Sequence, residues 1–109
     1  MTPQVRIFLA TAPVDLRGSF DRLAAVTRSV LNQDPCCGAL FIFTNRARNR
    51  LKALWWDRNG YILLYKRLVR KSFQLPAVSD AKVSSVQISR ETFASILAAV
   101  GVPEVPNLH

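Results

Sequence analysis

The sequence predicts an α+β fold: a mainly antiparallel sheet of four to five strands, with two amphipathic helices packed on one face. Three observations predict it. Residues 20–31 and 93–100 repeat apolar side chains at helical spacing. Short runs rich in strand formers lie between those two stretches. Asn59-Gly60 sits between two such runs as a hairpin turn. With 109 residues, 50% of them apolar, the chain supports one core. Residues 1–109 are therefore expected to form a single domain with its core at about 4–102.

In order along the chain, Val5 to Ala10 (V-R-I-F-L-A) is expected to be a strand ended by Thr11-Ala12-Pro13. Phe20, Leu23, Ala24, Thr27, Val30 and Leu31 then make the buried stripe of a helix, with Asp15 or Ser19 as its cap and Asp34-Pro35 as its stop. Leu40-Phe41-Ile42-Phe43-Thr44 is apolar on both faces and reads as a central strand. Asn45 to Asn49 is a polar connection. From Arg50 the pattern alternates, with Arg50, Lys52 and Leu54 on one face and Leu51, Ala53 and Trp55 on the other.

Asn-Gly accepts positive φ at both turn positions, which suits a two-residue hairpin loop. With Asn59 and Gly60 as that loop, Trp56 pairs with Leu63, Trp55 with Leu64 and Lys52 with Arg67; a bulge at Gly60 would shift these pairs. Residues 72–84 carry Pro76, Ser79 and Asp80 and are expected to be a loop or a poorly ordered excursion. Val86-Gln87-Ile88 is a short edge strand. Ser89 caps a last helix with Phe93, Ile96, Leu97 and Val100 as its stripe, and Gly101 with Pro103 ends it. Residues 103–109 are expected to be a frayed tail.

Charge is concentrated. Asn45 to Lys71 holds nine of the 15 basic residues and one acid, Asp57, so the net charge of +8 sits in this quarter of the chain. Both tryptophans and both tyrosines lie there too. Charge kept for solubility would be dispersed, whereas a single-sign surface with aromatics interleaved is the footprint of a partner that is a polyanion, nucleic acid first. If the strand starts as early as Arg46, then Arg46, Arg48, Arg50 and Lys52 form one basic row. The residues expected to meet nucleic acid are Arg46, Arg48, Arg50, Lys52, Lys66, Arg67, Arg70 and Lys71, with Trp55 or Trp56 stacking or wedging. The alternative is that one indole is a core residue and the other a cap on the sheet rim, and the same question attaches to Tyr61 and Tyr65.

Other chemistry finds little support. The seven acids are scattered, and the one histidine, His109, is terminal, which excludes a histidine-based acid–base mechanism. Cys36 and Cys37 are adjacent and, without internal histidine, make neither a disulfide nor a zinc site. No catalytic, metal or cofactor site is expected, so the chain reads as a non-enzyme without cofactors. No apolar run is long enough to span a membrane, and the amino terminus lacks a signal peptide's basic region, so the expected location is cytoplasmic.

The chain also resembles a known family. The carrying residues are Asp15-Leu16-Arg17, Phe20-Asp21, Leu23, Asp34-Pro35, Gly38 and Leu40 to Phe43. They continue through Asn45-Arg46, Arg50, Lys52, Leu54-Trp55-Trp56-Asp57, Gly60, Leu64 and Lys66-Arg67-Leu68. Together they resemble the accessory protein of the second reading frame of a bacterial insertion-sequence family, family sixty-six. That protein is often labelled TnpB but is unlike the RNA-guided nucleases of the same label. Asn49 stands where many relatives carry an acid. The resemblance implies a role in transposition beside a larger transposase that carries the strand-transfer chemistry. The expected partners are then DNA, as the ends of the element, and the transposase. A homodimer through an open sheet edge is a further expectation.

Overall fold

A computed structural model of the protein describes residues 5–100. The elements are β1 (Ile7–Ala10), α1 (Phe20–Ser29), β2 (Leu40–Thr44), β3 (Arg50–Asp57), β4 (Gly60–Arg67), β5 (Ser85–Ile88) and α2 (Arg90–Leu97). The strands form one sheet in the order β4-β3-β2-β1-β5. Among the described strands only β1 and β2 run parallel, with α1 as the crossover between them. The other pairs are antiparallel. This is the α+β, mainly antiparallel architecture that the sequence predicts.

The two helices do not share a face. Leu23 and Ala24 of α1 pack on Phe8, Ala10, Phe41, Phe43 and Leu54. Ile96 of α2 packs on Ile7, Leu9, Ile42, Leu51 and Ala53, which are the opposite side of the same strands. The reason is the composition of the central strands. All four residues of β1 and the Phe41-Ile42-Phe43 run of β2 are buried, so both faces are apolar and both need a cover. Two helices on one side would leave Ile7, Leu9 and Ile42 in water.

The helix ends also differ in detail from expectation. Ser19 occupies the α1 cap position without a side-chain hydrogen bond, and Phe20 and Val30 are exposed rather than buried. The helix stops before Asp34-Pro35, because Asn32 takes a left-handed conformation (φ +53°) and the Gln33 N–H reaches back to the Thr27 carbonyl at 3.1 Å. At α2, the Ser89 hydroxyl accepts from the Thr92 N–H at 3.0 Å, as expected of the cap. This helix leaves through Ala99, at φ +57°, and Val100 is exposed. Gly101, Pro103 and the tail 103–109 lie outside the described residues.

Residues 72–84 contain neither helix nor strand, yet they are tied down. Phe73 is 1% exposed and joins the α2-side core with Leu75 beside it. Thr11 holds the far end of the segment, its N–H donating to the Ser84 carbonyl at 3.0 Å and its hydroxyl to the Val83 carbonyl at 2.6 Å. A large ring buried on a segment without secondary structure anchors it to the sheet.

The hairpin register is shifted by two residues from the expected one. Asp57 pairs with Gly60, Trp56 with Tyr61, Trp55 with Ile62, Leu54 with Leu63, Lys52 with Tyr65 and Arg50 with Arg67. The loop is therefore Arg58-Asn59, with Arg58 at φ +57°. An even shift keeps every side chain on its face. It also sets Leu54 against Leu63 and exchanges a buried Lys52–Arg67 repulsion for a Lys52–Tyr65 contact, moving the like-charge pair out to the exposed Arg50.

Candidate nucleic-acid interface

The candidate site is built from two loops and the base of the hairpin. Asn45 shapes the first loop. Its side-chain carbonyl accepts the N–H groups of Asn49 and Arg50, both at 3.0 Å, while its amide donates to Asn49 Oδ1 at 2.7 Å. Its own carbonyl takes the Arg48 N–H at 3.0 Å. This closed network makes 45–49 a tight turn with Arg48 at φ +57°, and β3 begins only at Arg50. The continuous basic row from Arg46 to Lys52 therefore does not form. The two asparagines read as a featureless polar connection in the sequence, because their partners are each other.

The second loop, 13–18, crosses over β3. Lys52 holds it there, donating to the carbonyls of Leu16 at 2.6 Å and Gly18 at 2.9 Å, with the Tyr65 ring 5.1 Å from its ammonium. The lysine is only 9% exposed. A buried cation needs such partners, and here two backbone oxygens and an aromatic face supply them. Gly18 turns the loop toward α1 at φ +106°, a conformation that glycine adopts without steric penalty. Asp15 and Arg17 at the rim form a forked pair, with contacts of 3.0 and 2.8 Å. The Arg17 guanidinium holds the Asp15 carboxyl well below the usual carboxylate range.

Between the loops lies a cleft of about 700 Å³ lined by Arg17, Arg46, Arg50, Lys52 and Tyr65 among others. Arg67 stands directly opposite Arg50 at its edge. Among the described residues, the guanidiniums of Arg46, Arg50 and Arg67 have neither an acid nor a hydrogen-bond acceptor as partner, and all three are exposed. Thus Arg46, Arg50, Lys52 and Arg67 come together.

The other expected residues lie elsewhere. Arg48 lines a separate cleft with Pro76 and Val83, and its carbonyl accepts the Phe73 N–H at 2.7 Å. Lys66 points to the α2 side and donates to the Leu97 carbonyl at 2.5 Å, at the negative end of that helix. Trp55, also on that side, gives its indole N–H to the Gly38 carbonyl at 3.1 Å. Trp56 shares a face with Arg50 but is six residues along the strand, a separation of about 20 Å. It meets Tyr61 edge to face at 4.9 Å, and Tyr61 in turn stacks on Phe20 at 6.4 Å. Arg70 and Lys71 are exposed in the segment after β4 and line neither cleft. The 13–18 loop, to which the sequence reading assigns only a helix cap, forms one wall of the site. Its sequence signal was an arginine beside a glycine just ahead of the helix.

Family comparison agrees with the sequence motifs. The model of the IS66 Orf2 like protein family matches residues 5–105. The chain belongs to that family. Among curated proteins, it is similar to two from Sinorhizobium fredii, each bearing only the name of an uncharacterized protein. One, y4jC, is 36% identical over 96 residues, covering 88% of this chain and 80% of the relative. The other, y4hO, is 34% identical over 96 residues, covering 88% of this chain and 81% of the relative. No solved structure matches the chain.

Membership in the IS66 Orf2 like family implies an accessory role in transposition. Among the described residues, no group of three or more His, Cys, Asp and Glu comes together that could hold a metal ion. Nor is any helix there long and apolar enough to cross a membrane.

Proposed function

We propose that this Orf2-like protein binds DNA at the ends of its insertion element without catalysing a reaction there, and that it assists a separate transposase. The observation that carries this reading is the Arg50–Arg67 pair. Two like charges held opposite each other on neighbouring strands repel, and no acid among the described residues relieves them. A phosphate between them relieves the repulsion and accepts charge-assisted hydrogen bonds from both. In this reading Arg46, on the Asn45 turn and lining the same cleft, takes the next phosphate. Lys52 positions the loop wall instead of contacting DNA, since its ammonium already serves two carbonyls.

The test is a salt titration of binding to element-end DNA and to scrambled DNA. With three or four phosphates neutralised, log K should fall against log salt with a slope of about −3 to −4. Arg50→Ala and Arg67→Ala should each make the slope shallower by about one. Uniform weakening on both DNAs means phosphate contacts, and selective loss on the ends means sequence readout. Binding that ignores salt sinks the proposal.

A second reading, a module that docks on the transposase, has its own support. Ile62 and Leu64 are exposed on the α2 side of β4, and among the described residues β4 ends the sheet with an unpaired edge. Such an edge accepts a strand from a partner or from a second copy. Co-purification with the transposase that survives nuclease treatment, without any shift of DNA alone, favours docking over DNA binding. Sedimentation of the protein by itself measures the homodimer.

A further inference from the structure

The cleft carries more than charge. Tyr65 stands in it beside the arginines, with Lys52 against its ring and 51% of the residue exposed. Arg67 lies two residues along the same strand and face, about 6.7 Å away. A volume of about 700 Å³ is within the range of a small-ligand site. The two walls are fixed, one by the Asn45 network and the other by Lys52.

We infer that this cleft is a subsite for one unpaired nucleotide of a DNA strand, whose base stacks on Tyr65 while Arg46, Arg50 and Arg67 hold its flanking phosphates. The inference rests on the DNA-binding reading and goes beyond it by naming the form of DNA. In a duplex, both faces of a base are already stacked on neighbours. A ring on a rigid strand reaches a base plane only where the base has left the stack. The sequence names Trp55 or Trp56 for stacking and leaves Tyr61 and Tyr65 open; the structure sets Tyr65 among the arginines and both tryptophans away from them.

The experiment measures fluorescence anisotropy of one labelled sequence as single strand, as perfect duplex and as a duplex with one looped-out base. Wild type is compared with Tyr65→Leu and Tyr65→Phe, their folding checked by thermal melting. Single-stranded and looped-out DNA should bind about tenfold tighter than the duplex, the usual worth of one stacked base. Tyr65→Phe should keep that preference. Tyr65→Leu should erase it while duplex affinity and salt slope stay as in wild type. Equal affinity for all three DNAs, or a preference that persists in Tyr65→Leu, overturns this inference and leaves DNA binding standing. Tighter binding of the matching oligoribonucleotide overturns the assignment to DNA. Failure to bind any of them overturns both.

Discussion

Arg50 and Arg67 face each other directly across the β3–β4 pair, and among the described residues neither has an acid as partner. Strand pairing alone would avoid this, since like charges opposed on a sheet are destabilising. The same pair is the centre of the proposed phosphate site, so the repulsion and the function have one source.

Stability and binding should therefore move in opposite directions there. Arg67→Thr should raise unfolding free energy by about 0.5 kcal/mol, because it removes one of two like charges and adds a strand former. The same change should weaken DNA binding. Urea denaturation and a binding isotherm on one preparation check it, and a variant that loses both stability and binding would contradict the account.

Lys52 gives the contrasting case. Lys52→Met keeps the apolar stem but removes the ammonium that serves the Leu16 and Gly18 carbonyls. Stability should fall by about 1–3 kcal/mol. The salt slope of DNA binding should stay as in wild type, because the lysine neutralises no phosphate. A slope one unit shallower would mean that Lys52 does reach DNA.

The hairpin loop holds a local conflict. Arg58 sits at φ +57°, while the glycine that tolerates such a conformation is two residues later, at Gly60. Arg58→Gly should stabilise the fold by about 1 kcal/mol. Equilibrium unfolding reads this directly, and a loss of stability would argue against the positive φ.

Tyr61 and Cys36 provide a titration handle. The phenol and the thiol lie 3.3 Å apart, and the Cys36 contact, with burial behind it, raises the Tyr61 pKa. A raised folded-state pKa contributes stability that is complete below the unfolded value of about 10 and is lost as pH rises through the folded value. Cys36→Ala should bring the Tyr61 transition down in an ultraviolet titration. An unchanged titration would mean that the thiol is not the cause.

Much of this was legible in the residues because it is local. The Leu40–Thr44 strand, the Ser89 cap and the hairpin arms follow from periodicity and capping chemistry within a few residues. The loop lies one residue before the expected Asn59-Gly60, which shifts the pairing register by two, because the Asn-Gly preference is local and the strand pairing is not. In the fold, the pairing of Leu54 with Leu63 and of Lys52 with Tyr65 outweighs the ideal turn, and Arg58 takes up the resulting strain. The placement of both helices on one face failed for a similar reason. Helix periodicity reveals that a helix has an apolar side, but the two-faced strands decide which side of the sheet it covers.

By itself, then, the sequence determined the concentration of charge between Asn45 and Lys71, the hairpin that carries it and the family to which the chain belongs. Only the tertiary structure decided which of those charges are free. Lys52 is tied to carbonyls 36 and 34 residues away, and Lys66 to one 31 residues away. Arg46, Arg50 and Arg67 have no such tie among the described residues. A side chain's availability depends on neighbours brought close by folding, and no local pattern of residues encodes them.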